Sequence, residues 1–454
     1  MPPASLITLP DEILLMICEE LCFHCYGTPK PSDDKFFNTD LWSLMRTCRR
    51  LRDIAEPILY HCVWPGDNLF FLRTIIARPD LAVQVRSFLY DEAEQRDASG
   101  EDLDMLKAEA RRLDVNESDK WVRKWDRQIK RNGLECDQRL LKLILARLPN
   151  TASLSIVVPL WEETTCLTDS RNKCITMESI RDLSLIPGDL FDLGLLGGFL
   201  TMMPCLERLA AYDCGSITET LPLAKLCTLI LRNSMITAIC LQTIVDSCPE
   251  LEHFEYYVRP YDYDYTSSYE QQTVTCGQAQ RILHSRRETL KNLNLVFGKE
   301  FPPYLDQLES LQDFQLSNLH DFDGLDTLWV RTTDFGTDDE DKDVPIFPKD
   351  MEDLVSKLPQ SLICLGFCGS HKDWDGIEIL QEAILEGHFP KLEFVLLEHE
   401  KEEFEYAREL LADVDVFCAY FNDTKLEEFP DCSDPEFVEK EKEDDYEYGE
   451  DEAE

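Results

Sequence analysis

Cys22-Phe23-His24-Cys25, with Cys18 four residues upstream, invites a zinc reading. A structural zinc site needs four ligands, usually as two separated pairs. No second pair lies nearby in the sequence, and Cys18 falls on an apolar helical face, so the expectation is core and loop thiols and no metal. Cys364-x-x-x-Cys368 followed by His371 is weaker still, because strand alternation around Leu365-Gly366-Phe367 already explains it. The sequence has no G-x-S-x-G, no G-x-x-x-x-G-K-[ST] and no H-E-x-x-H, the patterns that build a nucleophile elbow, a phosphate cradle and a zinc hydrolase helix. Gly194, Gly197 and Gly198 sit in an apolar segment without dinucleotide spacing. Acidic pairs are abundant in any chain with 89 Asp and Glu, so they point to no glycosidase site. No catalytic residue and no cofactor is expected. The better candidate for recognition is the aromatic and acidic run holding Tyr256, Tyr257, Tyr261, Tyr263 and Tyr265. Tyrosine supplies large contact area at low entropic cost, and the interleaved aspartates favour a basic partner. The alternative is a solvated loop between repeats with tyrosines packed on the rim.

Composition narrows the class. The 454 residues are 44% hydrophobic, enough for a large core in one elongated or two compact units. A net charge of −44 argues against nucleic acid as a direct partner, since phosphate binding needs the opposite sign. No apolar run approaches 18 residues, so no membrane span is expected, and Met1-Pro2-Pro3 does not open a secretory signal. The 18 cysteines follow no framework spacing and read as reduced thiols, which suits the cytosol or nucleus. Residues 427–454 hold fifteen acidic residues and two lysines, a tail expected to stay disordered. Asp334 to Asp343 reads as an acidic loop.

The elements that would position such residues follow from periodicity. After Leu9-Pro10, the residues Ile13, Leu14, Ile17 and Leu21 make one apolar helical face. Leu41, Leu44, Met45, Cys48 and Leu51 make a second, and Pro57 is expected to interrupt a third short helix ending near Val63-Trp64. Leu72 to Phe88 reads as helix, stop at Arg78-Pro79, then strand. Further on, a helical apolar stretch, often a proline, then Leu-x-x-Leu-x-apolar recurs: Met203 to Leu209, Cys248 to Phe254, Phe389 to Leu396, Thr289 to Leu295 and Leu308 to Leu316, with weaker copies near Leu148, Ile180, Leu226 and Leu358. Anchors Leu183, Leu209, Leu229 and Phe254 are spaced by 26, 20 and 25 residues, which suits a leucine-rich repeat. Asp91 to Asp137, with Trp121 and Trp125, is a charged helical insertion.

Leu9-Pro10 with Glu12-Ile13-Leu14, Cys48-Arg49 and Leu59-Tyr60 together resemble an F-box, although the loop from Cys22 to Thr39 is longer than F-boxes usually carry there. The Arg78-Pro79-x-Leu81 and Val85-Arg86-Ser87 phrase is similar to the first repeat of fungal F-box proteins. The implied fold class is α/β: a three-helix F-box (5–64), an irregular leucine-rich-repeat-like solenoid of short parallel strands and helices (65–426) and the acidic tail (427–454). The resemblance implies a non-catalytic substrate receptor of a Skp–cullin–F-box ubiquitin ligase. It would dock a Skp-type adaptor, and through it cullin, by Leu9, Pro10, Ile13, Leu14, Ile17 and Leu41, and hold an unidentified protein substrate. The alternatives are an interaction scaffold outside ubiquitination, an enzyme concealed in the repeats, or a compact α/β domain whose leucine spacing is coincidental.

Overall fold

The computed structural model describes residues 6–26, 39–91, 99–113, 138–157, 176–187, 190–258, 273–297, 319–332, 355–368, 376–398 and 401–420. The chain divides into two compact units, Met1–Leu226 and Cys227–Glu454. No helix among the described residues is long and apolar enough to cross a membrane.

The first unit opens with short helices: α1 (Asp11–Glu20), α2 (Phe23–Tyr26), α3 (Thr39–Met45) and α4 (Arg49–Leu59). Asp11 and Glu12 sit in the first turn of α1, where carboxylates favour the positive helix end. Each longer helix buries one stripe: Leu14 and Cys18, then Leu41 and Met45, then Leu51, Ala55 and Ile58. Cys18, Cys22, Leu41, Met45, Ala55 and Ile58 form one core cluster. Arg50 ties the starts of α1 and α4 together, its Nη2 donating to the Leu9 carbonyl at 2.7 Å and its Nε to Asp11 at 2.8 Å. Three expectations are corrected here. The Leu41–Leu51 stretch is not one helix, because the chain leaves helical geometry at Cys48 (φ −157°, ψ 166°). Pro57 lies inside α4 and does not interrupt it; the missing N–H costs one bond close to the end, and the helix stops two residues later. Cys62–Val63, expected at a helix end, is strand β1.

From there strands and helices alternate: α5 (Asn68–Ala77), α6 (Pro79–Ala82), β2 (Ser87–Asp91), α7 (Gly100–Arg112), α8 (Gln138–Leu145), β3 (Ser153–Val157), β4 (Asp182–Ile186), β5 (Phe191–Asp192), α9 (Gly197–Leu200), β6 (Arg208–Tyr212) and β7 (Cys214–Ser216). Helix, stop and strand over 68–91 match the sequence expectation. Asp67 caps α5 by accepting from the Phe70 N–H at 2.9 Å, and Pro79 starts α6 after the non-helical Arg78. Strands β1, β2, β3, β4 and β6 lie side by side in that order, all parallel, while β5 and β7 pair separately.

Glu109 links α7 to the end of α8. It accepts from Arg147 Nε at 2.9 Å and Nη2 at 2.5 Å, and from Arg112 Nε at 2.9 Å. Burial pushes this carboxyl up, but the hydrogen bonds and charge of Arg147 and Arg112 outweigh it, so the group lies below its ordinary value. A depressed folded value gives stability that is present above the unfolded carboxyl range, about pH 4.3, and is lost as pH falls through the folded value. Glu109→Gln is therefore expected to cost about 1–2 kcal/mol at pH 7 and to flatten the acid limb of the stability curve. Urea unfolding of both proteins at pH 7 and pH 4 checks this; equal losses at the two pH values would refute it.

The second unit continues the pattern with β8 (Thr228–Ser234), α10 (Ala238–Ser247), β9 (His253–Val258), α11 (Cys276–Leu283), β10 (Asn292–Phe297), β11 (Thr327–Thr332), β12 (Cys364–Cys368), α12 (Gly376–Leu385), β13 (Phe394–Glu398), α13 (Lys401–Ala412) and β14 (Phe417–Tyr420). The seven strands among its described residues are parallel and ordered as they occur in the chain. The anchors stack in register: Leu229 beside Phe254, then Leu293, Leu328, Leu365, Val395 and Cys418. A backbone device repeats with them. In β9 to β13 the first residue of the strand and the residue before it donate to one carbonyl just ahead of the neighbouring strand, as Lys291 and Asn292 do to Glu252 and Asp326 and Thr327 do to Lys291. The opposite side of the strands carries a second cluster of Val296, Trp329, Cys364, Leu396 and Ala419.

The expectation of α/β structure with short parallel strands and helices agrees with this arrangement. Strands β11 and β14 were not among the expected copies. The copy at Leu308–Leu316, the pair Trp121 and Trp125, the acidic stretch 334–343, His371 and the tail 427–454 lie outside the described residues.

Candidate functional site

On α1, the i, i+4 pair Leu14 and Cys18 points into the core, which turns Ile13 and Met16 outward. Ile13 is 42% and Met16 58% exposed, with Pro10 exposed and Leu9 and Ile17 half-buried beside them. On α3 the same logic buries Leu41 and leaves Trp42 54% exposed. An apolar patch of this kind on a small helical block is a candidate docking surface. The six residues expected to face an adaptor therefore divide. Leu9, Pro10, Ile13 and Ile17 reach the surface at least in part. Leu14 and Leu41 do not, being 1% and 0% exposed, so their partner-facing role is corrected to a core role.

The tyrosine expectation also divides. Tyr256 is fully buried, its ring edge-on to Phe297 and its hydroxyl donating to the Ser234 carbonyl at 3.4 Å, so it cannot face a partner. The strand period explains this: Phe254 and Tyr256 share the inward face of β9. Tyr257 points to the other side, where Asn294 donates to its hydroxyl at 2.8 Å and the Arg232 guanidinium lies 5.3 Å from its ring. Tyr261, Tyr263 and Tyr265 lie outside the described residues.

The fold assembles what the sequence keeps apart. The Cys22 N–H donates to the Glu19 carbonyl at 3.0 Å and the Cys25 N–H to the Cys22 carbonyl at 3.0 Å, so α2 folds back at the end of α1. His61 follows α4, its N–H held by the Ile58 carbonyl and its own carbonyl accepting from Arg86 at 2.9 Å and Ser87 at 2.8 Å. These turns bring one ligand atom each of Cys22, His24, Cys25 and His61 within 4.8 Å of one another. Cys25 Sγ lies 3.3 Å from His61 Nδ1 and 3.7 Å from His24 Nδ1. The two imidazoles are 5.4 Å apart and nearly perpendicular.

The electrostatics of this cluster are uneven. A hydrogen bond from Cys62, with a weaker one from His61, outweighs burial and pulls the Cys22 thiol down to about 4. Burial and the charge on Cys22 push Cys25 up to about 12. Cys62 is raised by its hydrogen bond to Cys22 and by burial. Burial, then the neighbouring His61, lowers His24. A thiolate beside imidazole nitrogens is a donor set for a borderline-soft cation. The sequence reading of no metal missed His61, which with Cys62 is a second pair of ligand types, distant in the chain. An adjacent His-Cys pair downstream of C-x-H-C was the available signal.

No protein-family model matches the sequence, and no curated protein resembles it at a significant level.

Proposed function

We propose that the chain is the substrate-recognition subunit of a Skp–cullin–F-box ubiquitin ligase: α1, α3 and α4 dock a Skp-type adaptor, and through it cullin, while the parallel-strand region binds the target protein. The observation that carries this reading is the exposed apolar stripe of Ile13 and Met16, flanked by Pro10, on a small helical block whose own core is already filled. Strands β8 to β13, which follow one another in order and are entered through buried anchors such as Leu226, Leu251, Leu290, Leu325, Leu362 and Leu392, support reading 65–426 as an irregular leucine-rich-repeat-like solenoid. In such a receptor the chain performs no chemistry; it raises the local concentration of a target near a charged conjugating enzyme. The cytosol or nucleus belongs to the same proposal.

The test is co-purification of the full chain with a Skp-type adaptor and cullin, alongside the double variant Ile13→Asp, Met16→Asp. Two charges on the exposed stripe are expected to weaken adaptor binding at least about 30-fold, the effect of losing one hot spot of about 2 kcal/mol. Both sites are exposed, so unfolding should shift by no more than about 0.5 kcal/mol. Failure of the intact chain to bind the adaptor would overturn the proposal. Adaptor binding without cullin would leave a scaffold acting outside ubiquitination.

A further inference from the structure

We propose that Cys22, His24, Cys25 and His61 form a tetrahedral site for a zinc ion, which clips the α1–α2 turn to the junction between α4 and β1. The inference does not depend on the adaptor reading.

Three observations carry it. First, the donor set is two thiol sulfurs and two imidazole nitrogens, a combination characteristic of closed structural zinc sites. Second, the spacing is close to what the ion needs. Zinc bonds of about 2.3 Å to sulfur and 2.0 Å to nitrogen place tetrahedral ligand atoms about 3.3–3.8 Å apart. Cys25 already stands 3.3 Å from His61 and 3.7 Å from His24, and all four ligand atoms lie within 4.8 Å. Small rotations of exposed side chains would complete the tetrahedron. Third, the donors come from two segments, with Cys25 and His61 separated by 36 positions, and each segment is fixed by its own backbone hydrogen bonds. Four ligands converging from separate, ordered segments are unlike the scattered buried thiols elsewhere, such as Cys248 and Cys276.

The surroundings suit an ion as well. Cys22 is buried against the helical core, while His24 and Cys25 are exposed, which gives the ion an entry path. On binding, Cys22 and Cys25 coordinate as thiolates and any thiol protons pass to solvent. The structural consequence is that Cys25 and His61 are held together across the chain between them.

The full chain, purified under reducing conditions, is expected to hold one zinc per molecule by elemental analysis. After zinc removal, Co(II) should give the ligand-field spectrum of a tetrahedral site with thiolate charge-transfer bands. Cys25→Ser, at an exposed position, and His61→Asn, at a half-buried one, should each weaken Zn(II) affinity at least about 10-fold. Cys205→Ser, remote from the cluster, should leave it unchanged. The absence of both bound zinc and a tetrahedral Co(II) spectrum in the intact chain would overturn the site, whatever the variants do. Unchanged zinc affinity in His61→Asn, with folding verified by circular dichroism, would overturn the ligand set. Retention of adaptor binding by a zinc-free chain would leave the metal proposal standing, since the two readings fail separately.

Discussion

Leu41→Ala is expected to destabilise the N-terminal helical block by about 2–5 kcal/mol, the usual cost of emptying a buried leucine site. Leu41 is 0% exposed and packs with Cys18, Cys22, Met45, Ala55 and Ile58, with the partly buried Leu21, Leu44, Ile54 and Leu59 against them. How far these neighbours close into the void sets where in that range the cost falls. Amide exchange in α1, α3 and α4 is the suitable readout, because it follows the helical block separately from the rest of a two-unit chain. Protection in those helices should drop while that of β9 to β12 stays unchanged. Unaltered exchange in the helical block would show that Leu41 does not hold it. The result also governs the functional test: a Leu14 or Leu41 variant that loses the adaptor would report unfolding, whereas Ile13 and Met16 report docking.

Gly366→Ala is expected to cost about 3 kcal/mol, the upper end of ordinary overpacking. A β-carbon at Gly366 would lie 2.0 Å from Trp329 Cε3 and 2.6 Å from Cζ3, so the indole rests directly on the glycine of the paired strand. Trp329 is only 3% exposed and is confined by Val296, Cys364, Leu396 and Ala419, which leaves the ring no easy retreat. Trp329→Ala alone should cost about 3–5 kcal/mol through the cavity it leaves. The two changes share one space, so they should not add: in the Trp329→Ala background the added methyl should be close to neutral. Denaturant unfolding of the four proteins completes the cycle. Additive losses would show that the glycine serves some purpose other than making room for the indole.

The difference between Ile13 and Leu14 shows how far sequence reasoning reaches at the exposed stripe of α1. Both lie in one apolar run, and the helical period places them about 100° apart. Periodicity gives a helix with an apolar side but not the direction of the core, because Ile13, Leu14 and Ile17 are all apolar. The packing of α3 and α4 against α1 decides it. The same holds at β9, where alternation separates Tyr256 from Tyr257 but does not say which side is filled. Strand β11 was legible in principle, since Leu325-x-x-Leu328-x-Val330 carries the repeat spacing, yet its polar flanks hid it. Strand β14 lacks the phrase altogether and is held by β13 and α13.

Local chemistry in the sequence determined the helical start at Leu9-Pro10, the helix–stop–strand unit at 68–91 and the Leu-x-x-Leu anchors that become buried strand positions. Those features depend on neighbours a few residues away, through prolines, caps and side-chain period. Only the tertiary structure decided that the strands line up in chain order, that Leu14 and Leu41 are core, and that His61 meets Cys25. Each of these depends on where a segment returns after tens of residues, and that return is set by the summed burial of many side chains, not by any one motif.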